Sequence, residues 1–386
     1  MSKFKKLLVN VYVHIVRCVF GIKNKAVFTS FSGKSYSDNT KALSEELHKI
    51  RPDTEIVWMF QQPEEKKNIV PSYVRCINIK DRKKYFAELA TAAVYADNFA
   101  LTYLPKSKKQ MFIQLWHGDK GFKKILHDTP HAPKTRILNE QIPGYCDLCV
   151  AGSACGEMVF RSAFRYKGEI LMEGTPRNDV LLKPVEEIKV KIRNQLGLNA
   201  NEKVLLYAPT FRSEQAENKT AQPMQSISIS ATLDALEKKE GCRWICLLRA
   251  HPAVIGLCNK GADSRIRDVS EYEDMVDLLQ ISDMLITDYS SCAGDFALTG
   301  RPIVLYQADI AQYLEKDRSM YFDMKDSPFF VAKSQQELEG WICRLTPEMA
   351  KQNCKEIMAF YQDCETGHAS ESVAKIVSNW IDKVCG

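Results

Sequence analysis

Short apolar segments alternate with amphipathic segments along almost the whole chain. AVFTSF (26–31), TEIVWMF (54–60) and KQMFIQLWHG (109–118) are typical of buried strands, and DNTKALSEELHKI (38–50) is typical of a helix. The alternation restarts at EKVLLYAPTFR (202–212). Because repeated strand–helix units with short connections pack as a parallel sheet covered by helices, the pattern predicts an α/β fold with two doubly wound, Rossmann-like domains.

The length of 386 residues accommodates two such domains. We expect an amphipathic helix over residues 1–22, a first domain over 23–185, a second over 186–355 and C-terminal helices over 356–386. The charged segment PVEEIKVKIRNQLGL (184–198) is typical of a linking helix. Two domains of this kind predict a cleft between them, with functional groups at the carboxyl ends of the strands.

The composition excludes several classes of protein. A mean hydropathy of −0.27 excludes a polytopic membrane protein, and a formal net charge of +5 is too small to predict a nucleic-acid partner. The 13 cysteines are odd in number and scattered, which is typical of reduced thiols rather than of a disulfide framework. Cys146 and Cys149 form an isolated C-x-x-C pair, so we expect strand residues there and no metal site.

The N-terminal segment MSKFKKLLVNVYVHIVRCVFGIKNK (1–25) has basic ends around an apolar middle. The middle is about fifteen residues long, shorter than the roughly 20 residues of a spanning helix. Asn10, His14 and Arg17 share one helical face, and apolar side chains cover the rest. We predict a helix that lies on an anionic membrane surface, which places the protein peripherally at the cytoplasmic face of the cell membrane. The alternatives are a helix packed on the first domain and a signal or spanning segment.

Five predicted strands end in polar or basic residues. The carboxyl ends of parallel strands meet at one edge of a sheet, so the residues that follow them converge there. The five clusters are His117–Lys120, Gly174–Asp179, Pro209–Arg212, Arg249–Pro252 and Asp288–Ser291. Arginine side chains, hydroxyl groups and helix N-termini together are the chemistry of an anion site.

The segment DMLITDYSSCAGDFALTGRPIVLY (283–306) is the most informative of these regions. It predicts a strand, a polar turn, a helix and a second strand, with Ser290 and Ser291 at the start of the helix. Backbone N–H groups at a helix N-terminus favour phosphate, and Arg249 and His251 end another strand of the same sheet. We therefore predict a diphosphate site, with ordinary N-capping by Asp and Ser as the alternative.

Six motifs occur in a specific order: WHGDKGFKK, GTPRNDVLL, YAPTFR, RAHP, ITDYSSCAGDFALTGRPIVLY and MYFD. Together with SYSDNTKALSEEL, they resemble the CDP-glycerol glycerophosphotransferase family of teichoic acid synthesis, and the similarity runs from about Ala26 to Asp323. The resemblance implies a GT-B fold whose C-terminal domain holds the donor nucleotide. It implies a peripheral membrane enzyme that transfers glycerol phosphate from CDP-glycerol to the hydroxyl of a lipid-linked acceptor and releases CMP. We expect no cofactor and no metal.

The family's roles transfer onto matching residues of this chain. His117 in the W-H-G motif resembles the general base that takes the proton of the acceptor hydroxyl as it attacks the β-phosphorus. The residues that resemble the donor site are Arg212, Arg249, His251, Asp288, Ser290 and Ser291. Within that set, Asp288 is expected to orient a neighbouring group or the glycerol. The expected acceptor-side or interdomain residues are Gly118, Lys120, Lys123, Thr175, Arg177, Asn178 and Asp179.

The chain also departs from the family pattern. Asp119–Phe122 stand where the family often shows Thr-Pro after W-H-G, which leaves the acceptor's identity open, and KDSPFF (325–330) lacks a glycine-rich form. The chain has no large N-terminal extension of the kind that long polymerases carry, which favours a priming-type transferase that adds one unit. The alternatives are a CDP-ribitol or other CDP-polyol phosphotransferase, a GT-B glycosyltransferase that uses a nucleotide sugar, and a non-catalytic, membrane-docked binding module.

Overall fold

A computed structural model describes residues 3–99, 105–129, 142–210, 227–250, 263–316 and 319–386. The chain divides into two compact units, and three segments make up the first: Met1–Asp119, Ile125–Asp179 and Cys364–Gly386. The second unit contains Lys120–Lys124 and Val180–Asp363. Each unit is built around one parallel sheet, so the predicted α/β class with two doubly wound sheets is confirmed.

The described strands, in chain order, are β1 (Lys23–Thr29), β2 (Glu55–Phe60), β3 (Val74–Asn78), β4 (Ala92–Asp97), β5 (Met111–Gln114), β6 (Leu148–Val150), β7 (Glu169–Leu171), β8 (Lys203–Ala208), β9 (Trp244–Leu248), β10 (Ile266–Asp268), β11 (Met284–Thr287), β12 (Ile303–Tyr306) and β13 (Val331–Ala332).

The described α-helices are α1 (Lys3–Phe20), α2 (Asp38–Ile50), α3 (Pro63–Lys66), α4 (Arg82–Thr91), α5 (Ile142–Tyr145), α6 (Ala154–Ser162), α7 (Asp179–Leu182), α8 (Glu186–Gln195), α9 (Ile229–Glu240), α10 (Met275–Ile281), α11 (Cys292–Ala297), α12 (Ile310–Lys316), α13 (Gln335–Arg344), α14 (Pro347–Tyr361) and α15 (Ala369–Cys385). Short 3₁₀ turns lie at Leu126–Asp128, Pro176–Asn178 and Met324–Asp326.

The first unit has a seven-stranded sheet in the order β3-β2-β1-β4-β5-β6-β7. Its neighbouring strands are all paired in parallel. Strands β2 and β4 are buried along almost their whole length rather than at alternate residues, because helices cover both faces of the sheet. The direction of strand succession reverses between β1 and β4, and in doubly wound sheets ligands bind at the carboxyl edge beside such a reversal.

The second unit has a six-stranded sheet in the order β10-β9-β8-β11-β12-β13, again with parallel pairs. Here the reversal lies between β8 and β11. The buried strand residues pack with α9 and α13 into one apolar core that includes Trp244, Leu205 and Ile286. The residues that follow β8 and β11 therefore stand at the switch point of this sheet.

The C-terminal helix α15 belongs to the core of the first unit. Val373, Val377 and Ile381 are fully buried in the same apolar cluster as the β1 and β2 side chains. The Trp380 indole N–H donates to the Ala93 carbonyl oxygen at 3.2 Å. The predicted domain boundaries treated the C-terminal helices as a separate segment, whereas the contacts place residues 364–386 with the first unit and 347–361 with the second.

The N-terminal helix α1 both packs on the first unit and keeps an exposed apolar face. Val13 and Val16 are buried against β1, β2 and α4. Arg17, which shares a helical face with Asn10 and His14, turns inward and donates to the Pro105 carbonyl oxygen at 2.7 Å and to Gln110 Oε1 at 2.8 Å. The predicted amphipathic helix is confirmed, but Arg17 serves to dock it.

Candidate functional site

His117 follows β5 at the carboxyl edge of the first sheet. Leu115 and Trp116 carry the chain from the end of the strand to this half-buried histidine. Its Nδ1 lies 2.8 Å from the carbonyl oxygen of Asn98. Since a carbonyl oxygen only accepts hydrogen bonds, Nδ1 carries a proton, and in the neutral ring the lone pair is on Nε2. The contact therefore selects the tautomer in which Nε2 accepts a proton.

Aromatic rings pack around the His117 imidazole. The ring centroids of Trp116, Phe31 and Phe99 lie 4.1, 5.1 and 5.5 Å from that of the histidine. Close packing of this kind restricts rotation about the side-chain torsions. The imidazole is thus held by packing as well as by its hydrogen bond.

Asn98, which supplies the carbonyl group, is itself fixed by its side chain. It follows β4, the neighbour of β5, and is fully buried. Its Nδ2 donates to Ser30 Oγ at 3.1 Å, and its Oδ1 accepts from the Phe31 N–H at 2.9 Å. The residues that follow β1 and β4 are therefore joined at the switch point of the first sheet, and the carbonyl partner of His117 has a defined position.

Asp97 ends β4 immediately before Asn98 and is also fully buried. Its carboxyl group accepts from the Phe99 N–H at 2.7 Å and from the Tyr95 hydroxyl at 3.0 Å. Burial raises the pKa of Asp97 to about 7, although these hydrogen bonds oppose the shift. A titratable group thus lies beneath the backbone that holds His117.

The predicted acceptor-side cluster in the GTPRND motif is buried within the first unit. Thr175, Arg177 and Asn178 are at most 7% exposed. Arg177 forms an ion pair with Asp38, with 2.8 Å between Nη1 and Oδ2. Asp179 accepts from two backbone N–H groups at the start of α15, at 2.9 and 2.8 Å. These side chains are engaged with the protein itself, so their acceptor-side role stays a prediction.

A carboxylate from the C-terminal segment completes this cluster. Glu365 Oε1 accepts from Thr175 Oγ1 at 2.8 Å and from Asn178 Nδ2 at 2.7 Å, and Oε2 accepts from the Thr175 N–H at 2.9 Å. Gly174 has a φ of +109°, and a Cβ there would lie 2.6 Å from Glu365 Oε2. Both the backbone conformation and the close approach of the carboxylate therefore require glycine at the start of the motif.

Gly118 and Asp119, directly after His117, lie in the first unit. Gly118 is half-buried, and Asp119 Oδ1 accepts from the Gly152 N–H at 2.9 Å. The same oxygen would lie 1.8 Å from a Cβ on Gly156, so the Asp119 side chain occupies the space that this glycine leaves. Asp119 therefore has a packing role within the first unit.

The next residues, Lys120–Lys124, lie in the second unit. Lys120 is fully buried, and its Nζ lies 3.0 Å from Asp363 Oδ1. Its side chain covers Gly294 in α11, where a Cβ would lie 2.4 Å from the Lys120 Cβ. Lys123 forms an antiparallel bridge with Met320. The buried ion pair gives Lys120 a structural role, and its predicted contact with an acceptor stays a prediction.

Asp288 follows β11 at the switch point of the second sheet and is 2% exposed. Its carboxylate oxygens accept from the Thr210 N–H at 2.9 and 3.1 Å, and Oδ1 also accepts from the Tyr289 N–H at 2.6 Å. Gln307 Nε2 donates to the Asp288 carbonyl oxygen at 3.0 Å. Asp288 thus holds the chain that leaves β8 against the chain that leaves β11.

Arg249 follows β9 on the same carboxyl edge. Its Nη1 donates to the Tyr272 carbonyl oxygen at 2.9 Å. Burial lowers the pKa of the guanidinium from its usual value, and the nearby carboxylates of Asp274 and Glu273 oppose this shift. Because β9, β8 and β11 are adjacent, Arg249 and Asp288 lie two strand spacings, roughly 10 Å, apart. The arginine supplies a partly desolvated positive charge at this edge.

Ser290 and Ser291 precede α11, as the sequence predicted. Ser291 occupies the N-cap position, but its side chain makes no capping hydrogen bond, and Ser290 Oγ accepts from the Cys292 N–H at 3.4 Å. Since α11 has only six residues, its dipole is a weak source of anion affinity. Any phosphate affinity at this turn therefore depends mainly on hydroxyl groups and on charges from other strands.

Two predicted donor-site residues, Arg212 and His251, lie outside the described residues. Within the described ranges, no group of three or more His, Cys, Asp or Glu side chains is arranged to hold a metal ion. The C-x-x-C thiols of Cys146 and Cys149 are free and lie 3.6 Å apart, with Cys149 in β6.

Sequence reasoning missed several residues that shape these sites. Asp97 and Asn98 end the segment AVYADN, so the rule that polar residues gather at the carboxyl ends of strands would have found them. Glu365 offers no local signal, because its partner Thr175 is 190 residues away in the chain. Asn39 lies inside a predicted helix, where a polar residue is unremarkable without the contacts described below.

Comparison with known proteins supports the motif-based resemblance. The family model for CDP-Glycerol:Poly(glycerophosphate) glycerophosphotransferase matches residues 11–379. The teichoic acid glycerol-phosphate transferase of Staphylococcus aureus is 30% identical over 376 residues, which cover 92% of this chain and 93% of that protein. The teichoic acid poly(glycerol phosphate) polymerase of Staphylococcus epidermidis is 30% identical over 375 residues, covering 91% of this chain. The chain spans only 50% of the length of that polymerase.

A solved structure is similar along almost the whole chain. It is a variant of the wall teichoic acid polymerase TagF soaked with CDPG, with a TM-score of 0.84 and 28% sequence identity. The match covers 99% of this chain and 98% of that chain. This likeness confirms the expected GT-B-like fold. From the family match over most of its length, the chain belongs to the CDP-glycerol:poly(glycerophosphate) glycerophosphotransferase family.

Proposed function

We propose that this protein transfers glycerol phosphate from CDP-glycerol to the hydroxyl of a lipid-linked, teichoic-acid-like acceptor and releases CMP. The observation that carries the proposal is the 2.8 Å contact between His117 Nδ1 and the Asn98 carbonyl oxygen, which leaves the lone pair on Nε2. A histidine in this tautomer, at the carboxyl edge of a doubly wound sheet, is suited to general-base catalysis. Family membership supplies the reaction class.

In the proposed step, Nε2 of His117 takes the proton of the acceptor hydroxyl as its oxygen attacks the β-phosphorus. The bond between the β-phosphorus and the bridging oxygen breaks, and CMP leaves with that oxygen. Phosphoryl transfer depends mostly on positioning and on neutralising charge. Arg249 and the hydroxyl groups of Ser290 and Ser291 are the proposed contacts to the donor's phosphates, together with Arg212 and His251.

Donor preference is the first test. Calorimetric titration of the full chain should show binding of CDP-glycerol that is at least tenfold tighter than binding of CDP-ribitol or of a UDP-sugar. Tighter binding of CDP-ribitol would identify ribitol rather than glycerol as the polyol of the donor, while the proposed reaction class would stand. Tighter binding of the UDP-sugar would overturn the proposal in favour of a glycosyltransferase.

His117→Ala tests the base. Turnover of CDP-glycerol with a lipid-linked acceptor should fall by about 10²–10⁴-fold, while the dissociation constant for CDP-glycerol stays unchanged. His368→Ala, a change at a histidine that is 61% exposed, is the matched control and should behave like the parent protein. Normal turnover by His117→Ala would exclude His117 as the base. An absence of turnover in the parent protein, with CDP-glycerol still bound, would favour a binding module.

A lipid-linked acceptor lies in a membrane, which gives a reason for the exposed apolar face of α1. Among the described residues, no helix has both the length and the apolar character to cross a membrane. Yet α1 presents a stripe of apolar side chains, each 51–68% exposed, on the side opposite its buried Val13. The stripe consists of Phe4, Leu7, Leu8, Val11, Ile15 and Val19. We propose that this stripe enters the headgroup region of an anionic cytoplasmic leaflet and holds the enzyme peripherally beside its acceptor.

Flotation with vesicles that contain anionic lipid tests the α1 stripe. Leu8→Asp and Val11→Asp should each weaken binding by roughly tenfold or more, since fully burying such a side chain is worth about 1.5–3 kcal/mol. Ile69→Asp changes a side chain that is 47% exposed elsewhere on the first unit and should have no effect. Equal binding by all three variants would exclude α1 as the membrane contact. If the parent chain forms a dimer, and the two α1 variants lose the dimer but still bind vesicles, then a second copy of the chain covers the α1 stripe.

A further inference from the structure

The backbone beside His117 is strained. Trp116, the preceding residue, has a φ of +44°, in the left-handed region that non-glycine residues rarely adopt. Such a conformation costs on the order of 1–3 kcal/mol and persists only where surrounding contacts enforce it. Because this residue sets the direction in which the chain enters His117, whatever holds Trp116 also aims the imidazole.

The Asn39 side chain holds that peptide. Its Nδ2 donates to the Trp116 carbonyl oxygen at 2.7 Å and to the Leu115 carbonyl oxygen at 3.1 Å. In the preceding peptide unit, which carries the Leu115 carbonyl group, the Trp116 N–H donates to Gln114 Oε1 at 2.9 Å. Asn39 is 1% exposed, so its amide is shielded from solvent. The strained residue is therefore fixed at both its N–H and its carbonyl group.

Only an amide side chain suits this position. Two carbonyl oxygens must each receive a donor, while Asn39 Oδ1 accepts from the Arg177 N–H at 3.0 Å. An aspartate offers no donor when ionised, and a serine has one hydroxyl proton for two carbonyls. The buried ion pair joins Asp38, the residue before Asn39, to Arg177, and it fixes the amide relative to the GTPRND motif. This motif thereby connects to His117 through Asn39.

We infer that Asn39 is a positioning residue for His117: it holds Trp116 in the left-handed conformation that presents the imidazole to Asn98. Asn39 donates to backbone oxygens and acts on the reaction only through the histidine. The inference rests on the proposed role of His117 as the base. An error of about 1 Å in the position of a catalytic group can cost on the order of 10²-fold in rate, so the effect should be large.

The first measurement is the turnover of Asn39→Ala. Its kcat should fall by about 10–100-fold, while KM and the dissociation constant for CDP-glycerol remain within about twofold of the parent values. Ser44→Ala is the control, because Ser44 lies in the same helix as Asn39 and the change removes a buried hydrogen bond, the one it accepts from the Trp58 indole. The control should lose stability but keep its kcat. Equal losses of kcat in Asn39→Ala and Ser44→Ala would mean that Asn39 only stabilises the fold and does not position His117.

A double-mutant cycle with Trp116→Gly tests the mechanism. Glycine adopts a positive φ without steric cost, so in the Trp116→Gly background residue 116 can keep this conformation without the Asn39 hydrogen bonds. Asn39→Ala should then reduce kcat by less than about threefold in that background, against 10–100-fold in the parent. Equal factors in the two backgrounds would overturn the inference. If Asn39→Ala does not fold, Asn39→Asp takes its place in the double-mutant cycle. This variant keeps an oxygen that accepts from the Arg177 N–H but loses the donor to the two carbonyl oxygens.

His117→Ala, measured in parallel, separates the two proposals. If it keeps normal turnover, the assignment of the base fails, and with it any role of Asn39 in aiming that base. If it loses turnover while the Asn39 and Trp116 effects are independent, only the positioning inference fails.

Discussion

Replacing Asp97 by Asn should make the free energy of unfolding less dependent on pH. Burial raises the pKa of Asp97 to about 7, against an ordinary value of 3.8. A carboxyl group whose pKa is raised in the folded state contributes stability below its unfolded pKa and loses that contribution as pH rises through the folded pKa. Asp97 therefore disfavours folding increasingly from about pH 4 to about pH 7.

The size of the effect follows from the shift. Three pKa units correspond to about 4 kcal/mol once the pH exceeds the folded pKa, and about 2–3 kcal/mol of this develops between pH 5 and pH 8. Asn suits the site, because its Oδ1 can accept from the Phe99 N–H. Its Nδ2 can donate to the Tyr95 hydroxyl, whose single proton is then available to Thr29 Oγ1, 3.3 Å away. The substitution thus removes the charge without leaving a buried group unpaired.

Urea unfolding, followed by circular dichroism at about pH 5 and pH 8, measures the effect. Between the two pH values, the free energy of unfolding of the parent should fall by about 2–3 kcal/mol more than that of Asp97→Asn. Asp326→Asn, at an exposed aspartate, is the control and should follow the parent. Parallel curves for parent and Asp97→Asn would refute the reasoning, since they would mean that Asp97 is ionised in the folded protein at both pH values.

Three further predictions concern the buried motif and the donor site. Arg177→Ala leaves Asp38 buried without its ion-pair partner, so unfolding should become easier by about 3–5 kcal/mol, and a loss below about 1 kcal/mol in a thermal melt would contradict this. Gly174→Ala should destabilise by more than about 1 kcal/mol, because it combines a positive φ with a close approach to Glu365, and an unchanged melting temperature would argue against it. Arg249→Ala should weaken CDP-glycerol binding by about 10–100-fold in calorimetry, whereas unchanged affinity would remove Arg249 from the donor site.

The order of strands and helices was predictable because its signals are local. Continuous apolar runs mark strands that are buried on both faces, and the segments between them repeat at helical spacing. The same local rule placed Arg249 and Asp288 directly after β9 and β11, and His117 three residues after the end of β5, as the structure has them. Parallel pairing then requires that residues after strands of one sheet share one edge.

The roles of individual polar side chains were less predictable, because their partners are distant in sequence. The GTPRND motif was expected on the acceptor side or between domains, and its buried partners Glu365 and Asp38 are distant in the chain. Lys120 was expected on the acceptor side, and its ion-pair partner Asp363 is likewise distant in the chain. A polar residue at a strand end either faces a ligand or satisfies another buried group, and only the position of the partner distinguishes these two outcomes.

By itself, the sequence determined the α/β class, the two parallel sheets, the edges at which chemistry gathers and the family to which the chain belongs. These follow from hydrophobic periodicity and from ordered motifs, and both are patterns among residues that are close together in the sequence. The tertiary structure decided that α15 completes the first core, that Arg17 docks α1, and that Asn39 fixes the peptide before His117. Such features depend on which distant segments meet, because a buried donor or acceptor must be paired wherever the fold brings it.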